Sequence, residues 1–157
     1  MSTLNIRPVV ATDIPRLKAV IATSDLFPPD LLDDMIAPYL AGEDESIWLT
    51  GEEDNPTFVA FCAPEQMTEG TWNLYLIAVY SELQSKGYGR QVMGYLEDLL
   101  AEQGARVLLV ETSGLPEFER TRSFYHQCNY TEEARIRDFY KAGEDKVVFW
   151  KSLQERQ

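Results

Sequence analysis

The feature that most constrains the fold is a change of hydrophobic period within residues 71–100. The run TWNLYLIAV at 71–79 is rich in β-branched and aromatic residues, as strands are, whereas apolar residues recur at helical spacing from Arg90 onward. A short polar turn containing Gly87 and Gly89 separates the two patterns. Because glycine adopts backbone conformations that other residues rarely reach, this turn can join a strand directly to a helix. The junction predicts a sheet with at least one helix packed on it.

The other segments extend this pattern along the chain. Thr12 or Asp13 is placed to cap a first helix, FPPD at 27–30 opens a second, and Pro38 should end or kink that second helix. Gly104 is a plausible stop for the helix that starts near Arg90. A fourth helix is predicted at 116–127, and strands are predicted at 4–10, 46–50, 57–63, 71–79, 105–112, 131–140 and 146–153.

The predicted element order is β-α-α-β-β-β-α-β-α-β-β, with a meander of three antiparallel strands at 46–79. The run ARVLLVET at 105–112 has the continuous apolar character of a strand buried on both faces. We therefore predict an α/β fold with a mixed central sheet and helices on both faces. No linker-like segment divides the chain, so a single domain is expected over 1–157.

The charge balance limits the classes of partner. The chain of 157 residues has a net charge of −12 and 45% apolar residues, so it can bury a substantial core. Nucleic-acid binding requires phosphate neutralisation by basic residues, and the acidic balance argues against it. The acidic runs at 43–45 and 52–54 are interpreted either as solvated loops or as a field that attracts a cationic substrate.

Targeting, redox and metal signals are weak. The longest apolar runs, such as VLLV at 107–110, are far shorter than a membrane span, and MSTLNIRP does not have the pattern of a signal peptide. A cytoplasmic location is the expectation. Cys62 and Cys128 lie far apart and His126 is the single histidine, so no metal site is expected. The cysteines are interpreted as buried apolar residues rather than a disulfide.

Residues 84–90 have the chemistry of an anion site. The first N–H groups of a helix lack partners inside the helix and carry a partial positive charge. Glycines at 87 and 89 would let an anion approach the backbone, and Lys86 and Arg90 add positive charge. The spacing fits neither the dinucleotide fingerprint nor a P-loop. The segment therefore predicts a phosphate or pyrophosphate site, with a simple connecting turn as the alternative.

Four features in the same order resemble the GNAT superfamily of acyl-CoA-dependent N-acetyltransferases. The family signature [QR]-x-x-G-x-[GA] is matched by Gln84, Gly87 and Gly89, directly after a strand ending in LIAV. The opening IRPVVATDIPRL is similar to the first strand and helix of the family. The segment RSFYHQCNY resembles the F-Y-x-x-x-G-F pattern near the last helix, with Asn129 in place of the glycine.

The resemblance implies acetyl-CoA as cosubstrate and no metal. The pantetheine arm is expected to pair like an extra strand with the backbone of Ile77, Ala78 and Val79. The family often has an asparagine early in the last helix, where this chain has Phe118, so Thr112 or Ser113 is expected to supply that contact. The pyrophosphate is expected on the loop formed by Gln84, Ser85, Lys86, Gly87, Tyr88, Gly89 and Arg90.

The resemblance also suggests catalytic residues. Tyr125 matches the family tyrosine that protonates the leaving thiolate, although a core aromatic is the alternative. Where some members have a basic glutamate, this chain offers Asn73 and Tyr75, so the base is either a positioned water or another carboxylate. Glu111, at the end of its strand, is the preferred carboxylate, with an ion-paired or capping role as the alternative.

Three interpretations remain open from the sequence. The first is an N-acetyltransferase acting on a primary amine of a small molecule or protein, in which the acidic balance favours a cationic acceptor. The second is a catalytically weak or inactive acyl-CoA-binding regulatory module, which the absent carboxylate at Asn73 favours. The third is a structural protein with an accidental turn.

Similar folds often dimerise through their C-terminal strands, so a homodimer is compatible with the resemblance. His126 is expected at the surface, and Arg135 and Arg137 are expected either to pair with acids or to bind an anion.

Overall fold

The computed structural model describes residues 4–24, 26–52, 55–81, 84 and 86–154. Within these residues the chain forms seven strands and four α-helices in the predicted order, which confirms the α/β fold class. The strands are β1 (Ile6–Pro8), β2 (Ile47–Gly51), β3 (Phe58–Pro64), β4 (Thr71–Val79), β5 (Val107–Ser113), β6 (Thr131–Lys141) and β7 (Glu144–Ser152). The helices are α1 (Ile14–Ser24), α2 (Leu32–Leu40), α3 (Tyr88–Glu102) and α4 (Glu119–Gln127).

Hydrogen bonding places the strands in the order β1-β2-β3-β4-β5-β7-β6. β2, β3 and β4 form the expected antiparallel meander, whose short connections allow neighbouring strands to pair directly. β1 pairs antiparallel with β2, although α1 and α2 separate the two strands in the chain. β4 and β5 are parallel because α3 carries the chain back across the sheet between them. The C-terminal hairpin inserts β7 beside β5 and leaves β6 at the edge.

The chain divides into two compact units. The first unit comprises Met1–Ala63 and Tyr75–Leu96, and the second comprises Pro64–Leu74 and Glu97–Gln157. In the first unit the apolar faces of α1 and α2 pack on the meander strands, as the helical spacing of their apolar residues requires. The buried residues of this cluster are Val9, Leu17, Val20, Ile21, Leu32, Ile36, Trp48, Val59, Leu76 and Ala78.

The start of α1 differs in detail from the prediction. A 3₁₀ turn at Ala11–Asp13 precedes the helix, and the Asp13 carboxylate accepts the N–H of Val10 at 2.8 Å. The same carboxylate forms two hydrogen bonds of 2.8 Å with the Arg7 guanidinium. Asp13 therefore closes the turn before the helix rather than capping α1 itself.

In the second unit α4 packs on one face of the strand pair β5–β7. The ring of Tyr125 lies 5.5 Å from that of Phe149, and both residues are buried. On β5 the burial alternates: Leu108 and Val110 are buried on the α4 face, whereas Glu111 on the opposite face is only half-buried. The expectation of a strand buried on both faces was wrong, because that opposite face contains a charged cluster.

Candidate active site

The glycine turn and the first residues of α3 lie in the first unit. Gly87 has φ +83°, a conformation that favours glycine, and its carbonyl accepts the N–H of Gln91 as α3 begins at Tyr88. The first turn of α3 contains no acidic residue, so the helix itself places no negative charge beside its first N–H groups. Ser85 lies outside the described residues. The others of the expected pyrophosphate loop, Gln84, Lys86, Gly87, Tyr88, Gly89 and Arg90, are exposed or half-buried.

The end of β4 is tied to this turn by one side chain. The amide nitrogen of Gln84 donates to the carbonyl oxygen of Val79 at 3.1 Å. The first residue of the family signature therefore bridges the strand expected to hold pantetheine and the loop expected to hold pyrophosphate.

β4 extends beyond the residues that pair with β5. The register with β5 covers Thr71–Leu74, although β4 itself continues to Val79. On its other edge, hydrogen bonds join Glu65 to Thr71 and Thr57 to Tyr80. Between these two hydrogen bonds β4 spans nine positions, from Thr71 to Tyr80, whereas β3 spans eight, from Thr57 to Glu65. β4 therefore contains one extra residue, which is a β-bulge. Beyond Leu74 the strand therefore has one edge paired with β3 and one edge outside the β5 register.

The preferred carboxylate, Glu111, lies in the second unit at the centre of a charged cluster. Its Oε1 is 3.0 Å from the Lys146 ammonium, and its Oε2 accepts a 2.8 Å hydrogen bond from the amide nitrogen of Asn73. The Lys146 ammonium also lies 4.0 Å from the centroid of the Phe139 ring, within cation–π range. Burial and the negative charge of Glu111 raise the pKa of Tyr140, the neighbour of Phe139. The ion-paired role that the sequence left open for Glu111 is therefore present.

Sheet register explains why these residues meet. Asn73 of β4 pairs with Leu109 of β5, and Lys146 of β7 pairs with Ser113 of β5. Glu111 lies between Leu109 and Ser113 on the same face, so it is the diagonal neighbour of Asn73 on one side and of Lys146 on the other. The pairing of distant strands therefore places an amide, a carboxylate and an ammonium in one row.

The residues that follow Glu111 have other neighbours. Ser113 is buried, and its hydroxyl accepts the N–H of Leu115 at 3.1 Å. Arg122 of α4 donates to the carbonyl oxygens of Ser113 and Leu115, which fixes the loop before α4. Thr112 is half-buried on the face that α4 covers. The two expected cofactor contacts thus lie on opposite faces of β5.

Tyr125, the expected acid, belongs to α4, which covers one face of β5. The Glu111 side chain lies on the opposite face of that strand. The Tyr125 side chain is 3% exposed, and its ring packs between those of Phe149 and Tyr130. Burial raises the pKa of Tyr125 well above its usual value, because the phenolate would lose hydration. The phenol is therefore protonated at neutral pH and can act as a donor. The adjacent His126 is exposed, as expected.

Sequence reasoning missed Lys146 and Phe139 as members of the Glu111 cluster. The residue pattern around Phe139 and Lys146 predicted two strands, but it did not show which side chains of other strands each of them would contact. Arg135, in contrast, pairs with Asp145 at 3.0 Å, one of the two expected alternatives. Among the described residues, no group of histidine, cysteine and carboxylate side chains is arranged to hold a metal. Burial raises the pKa of Cys62 to about 12, which disfavours a nucleophilic thiolate.

A family model, Acetyltransferase (GNAT) family, matches residues 18–130, which is more than half of the chain. The chain belongs to the GNAT acetyltransferase family. A GNAT-family protein of Desulfovibrio desulfuricans of known structure is 28% identical, with a TM-score of 0.88 over 97% of this chain and 100% of the other. No curated protein sequence matches the chain. In the part of the chain that the structure describes, no helix is long and apolar enough to cross a membrane.

Two more distant structures share the GNAT fold. The ribosomal-protein-S18-alanine N-acetyltransferase of Escherichia coli is 20% identical, with a TM-score of 0.77 over 99% of this chain and 97% of that enzyme. An aminoglycoside 6'-N-acetyltransferase complexed with coenzyme A is 14% identical, with a TM-score of 0.77 over 97% and 98% of the two chains. At these identities the likeness concerns the fold alone, and one name specifies a protein acceptor whereas the other specifies an aminoglycoside.

Proposed function

We propose that this GNAT protein is an N-acetyltransferase that moves the acetyl group of acetyl-CoA to a primary amine of a small molecule or protein. The observation that carries the proposal is the junction of β4 and α3. There the strand leaves the β5 register after Leu74, and Gln84 links Val79 to a helix start built on Gly87. A strand edge beside a helix N-terminus suits an amide-bearing arm that ends in a pyrophosphate.

The donor would use residues of the first unit. The backbone of Ile77, Ala78 and Val79 would pair with the amides of pantetheine. The N–H groups of the loop at 84–90 would hold the pyrophosphate, with Lys86 and Arg90 adding positive charge. Thr112 or Ser113 would supply a further contact from β5.

The transfer itself requires a group that accepts the proton of the amine and a group that donates a proton to the leaving thiolate. The neutral amine nitrogen attacks the thioester carbonyl carbon, so that a C–N bond forms, the C–S bond breaks and CoA leaves as a thiolate. Glu111, directly or through a water, would take the proton lost by the nitrogen. Although both of its oxygens already accept one contact, each has a second lone pair. Tyr125 would donate its phenolic proton to the thiolate.

The partners of this proposal are acetyl-CoA and an amine acceptor, together with a second copy of the chain. All eleven residues of the edge strand β6 are exposed, including Ile136, Phe139 and Tyr140. An exposed edge strand with apolar side chains invites pairing with another strand, and the same strand of a second copy would satisfy it. Sedimentation of the wild type and of Ile136→Lys tests this: a dimer that the substitution dissociates supports the pairing.

The free, buried Cys62 and Cys128 fit the cytoplasm, which we propose as the location of the protein.

A regulatory module that binds acyl-CoA without turnover is the second candidate. The occupied carboxylate of Glu111 favours it, because a base that is paired with Lys146 is partly neutralised. Titration calorimetry with acetyl-CoA and dephospho-CoA, on the wild type and on Gly89→Glu, tests what the two candidates share. Binding that the substitution abolishes supports the cradle at 84–90, whereas no binding to the wild type rejects both. Release of free CoA thiol in the presence of primary amines then separates enzyme from module.

A further inference from the structure

The amide of Asn73 has a single allowed orientation. Its nitrogen lies 2.8 Å from Glu111 Oε2, and an ionised carboxylate can only accept hydrogen bonds. The amide must therefore direct its nitrogen toward Glu111 and its carbonyl oxygen, Oδ1, away from it. Lys146 holds the other carboxylate oxygen, so Glu111 cannot readily turn to release the amide.

The Oδ1 atom of Asn73 is buried and has no hydrogen-bond partner among the described residues. The whole residue is 1% exposed. Buried polar atoms without partners are rare in native proteins and call for an explanation. Two other buried side-chain atoms share this property in the described part of the chain, Trp48 Nε1 and Thr57 Oγ1, and both belong to the first unit. An acceptor held in a fixed direction beside a candidate base is suited to a donor that arrives with a ligand.

The charges of the cluster indicate what kind of donor fits. Lys146 compensates Glu111, so the row Asn73–Glu111–Lys146 carries no net formal charge. The site therefore offers a neutral carbonyl acceptor rather than an unpaired anion. An N–H group of an uncharged amine is a donor that such an oxygen can bind without leaving a charge uncompensated. Uncharged amine is also the form that attacks a thioester.

We propose that Asn73 is the acceptor-binding residue of this enzyme: its Oδ1 accepts the N–H of the nitrogen that is acetylated, while Glu111 and Lys146 hold the amide in place. This inference rests on the proposed transferase function and adds the group that recognises the nitrogen. It predicts that the enzyme distinguishes ligands by the presence of that N–H, independently of the rest of the acceptor.

Two CoA conjugates test the proposal without knowledge of the natural acceptor. In one, the CoA sulfur carries CH2–C(=O)–NH–CH3, and in the other it carries CH2–C(=O)–O–CH3, which lacks the N–H. Titration calorimetry should show that the wild type binds the amide about tenfold more tightly than the ester, as expected for one buried hydrogen bond. In Asn73→Leu the ratio should fall to within about twofold, with the affinity for CoA itself unchanged.

Matched variants separate this role from a structural one. Thr57→Val removes another unpartnered buried oxygen and should keep the wild-type ratio. In Glu111→Gln the new side-chain amide can both donate to and accept from Asn73, so the orientation of the Asn73 amide is no longer fixed. The ratio of amide to ester affinity should therefore decrease. If Asn73→Leu does not fold, the ratio of amide to ester affinity is measured on Asn73→Ala instead, with the same expected result. Equal binding of amide and ester to the wild type, or a preference that survives in the Asn73 variant, overturns the proposal. Absence of CoA binding would instead reject the transferase function itself.

Discussion

The amide nitrogen of Asn73 and the Oε2 atom of Glu111 lie 2.8 Å apart, although 38 positions separate the two residues in the sequence. This hydrogen bond joins β4 to β5 on the face opposite α4. It connects Asn73, one of the two positions at which the family resemblance expects a strand glutamate, to Glu111, the carboxylate proposed as the base. The candidate base and its polar neighbour therefore form one structural unit.

The first prediction concerns Glu111 as the base. Once an acceptor is identified, Glu111→Gln should lower kcat by about a hundredfold or more, because it removes proton acceptance while preserving side-chain shape. Calorimetry should show an unchanged affinity for acetyl-CoA. A variant with near wild-type kcat would assign proton removal to another group. Glu119→Gln, an exposed glutamate on α4, is the control and should leave kcat unchanged.

The second prediction concerns Tyr125 as the acid. Tyr125→Phe keeps the ring that packs on Phe149 but removes the hydroxyl, so kcat should fall by about a hundredfold with little loss of thermal stability. Because burial raises the pKa of Tyr125, the wild-type kcat should show no loss of this donor up to about pH 10. A decline of kcat near neutral pH that disappears in the Phe variant would contradict this assignment.

The third prediction concerns the glycine at the start of α3. Gly87 has φ +83°, so Gly87→Ala should destabilise the fold by about 1 kcal/mol and weaken acetyl-CoA binding by distorting the N–H groups of the loop. Gly104→Ala is the matched control, since Gly104 has φ +88° and a Cβ there would meet no atom within 4 Å. It should have a similar cost in unfolding free energy and no effect on binding. Equal loss of binding in both variants would point to general unfolding.

The fourth prediction concerns acid stability through Asp13. Its hydrogen bonds with Arg7 lower the pKa of Asp13 below its usual value. The stabilisation is therefore present above the unfolded-state value of about 3.9 and is lost as pH falls through the lower folded-state value. Asp13→Asn should reduce the unfolding free energy by roughly 2 kcal/mol at pH 7 and by less near pH 3. Urea titrations at both pH values measure the difference, and an equal loss at both would contradict the ionic account.

The fifth prediction concerns alkaline stability through Tyr130. The Tyr130 hydroxyl donates to Glu97 Oε2 at 2.7 Å, and Lys151 pairs with Oε1 of the same carboxylate at 2.9 Å. Burial and the Glu97 charge raise the pKa of Tyr130, so its stabilising effect is complete below about pH 10 and is lost as pH rises further. Tyr130→Phe should cost about 1–2 kcal/mol at pH 7 and flatten the decline above pH 10. An unchanged alkaline slope would assign that decline to other groups.

Local patterns in the sequence were sufficient for the order of elements. The change of period at Arg90, the glycines at 87 and 89 and the β-rich runs before them depend on neighbours within a few residues, so they predict strand, turn and helix directly. The same patterns, with the family signature at Gln84, predict the loop at 84–90 as the donor site. Boundaries shifted by a few residues, and the 3₁₀ turn before α1 was not anticipated.

The tertiary structure decided which faces those elements present and which distant residues meet. Glu111, Asn73 and Lys146 come from three strands whose register depends on the pairing of the whole sheet, a nonlocal property that no short segment encodes. Burial of Tyr125 against Phe149 likewise depends on α4 packing on β7. The amino-acid sequence by itself therefore determined the strand–turn–helix order, and it is the basis of the anion site proposed at 84–90. Only strand pairing determined that the carboxylate of Glu111 is held by an amide and an ammonium, because side chains on separate strands become neighbours only when the sheet forms.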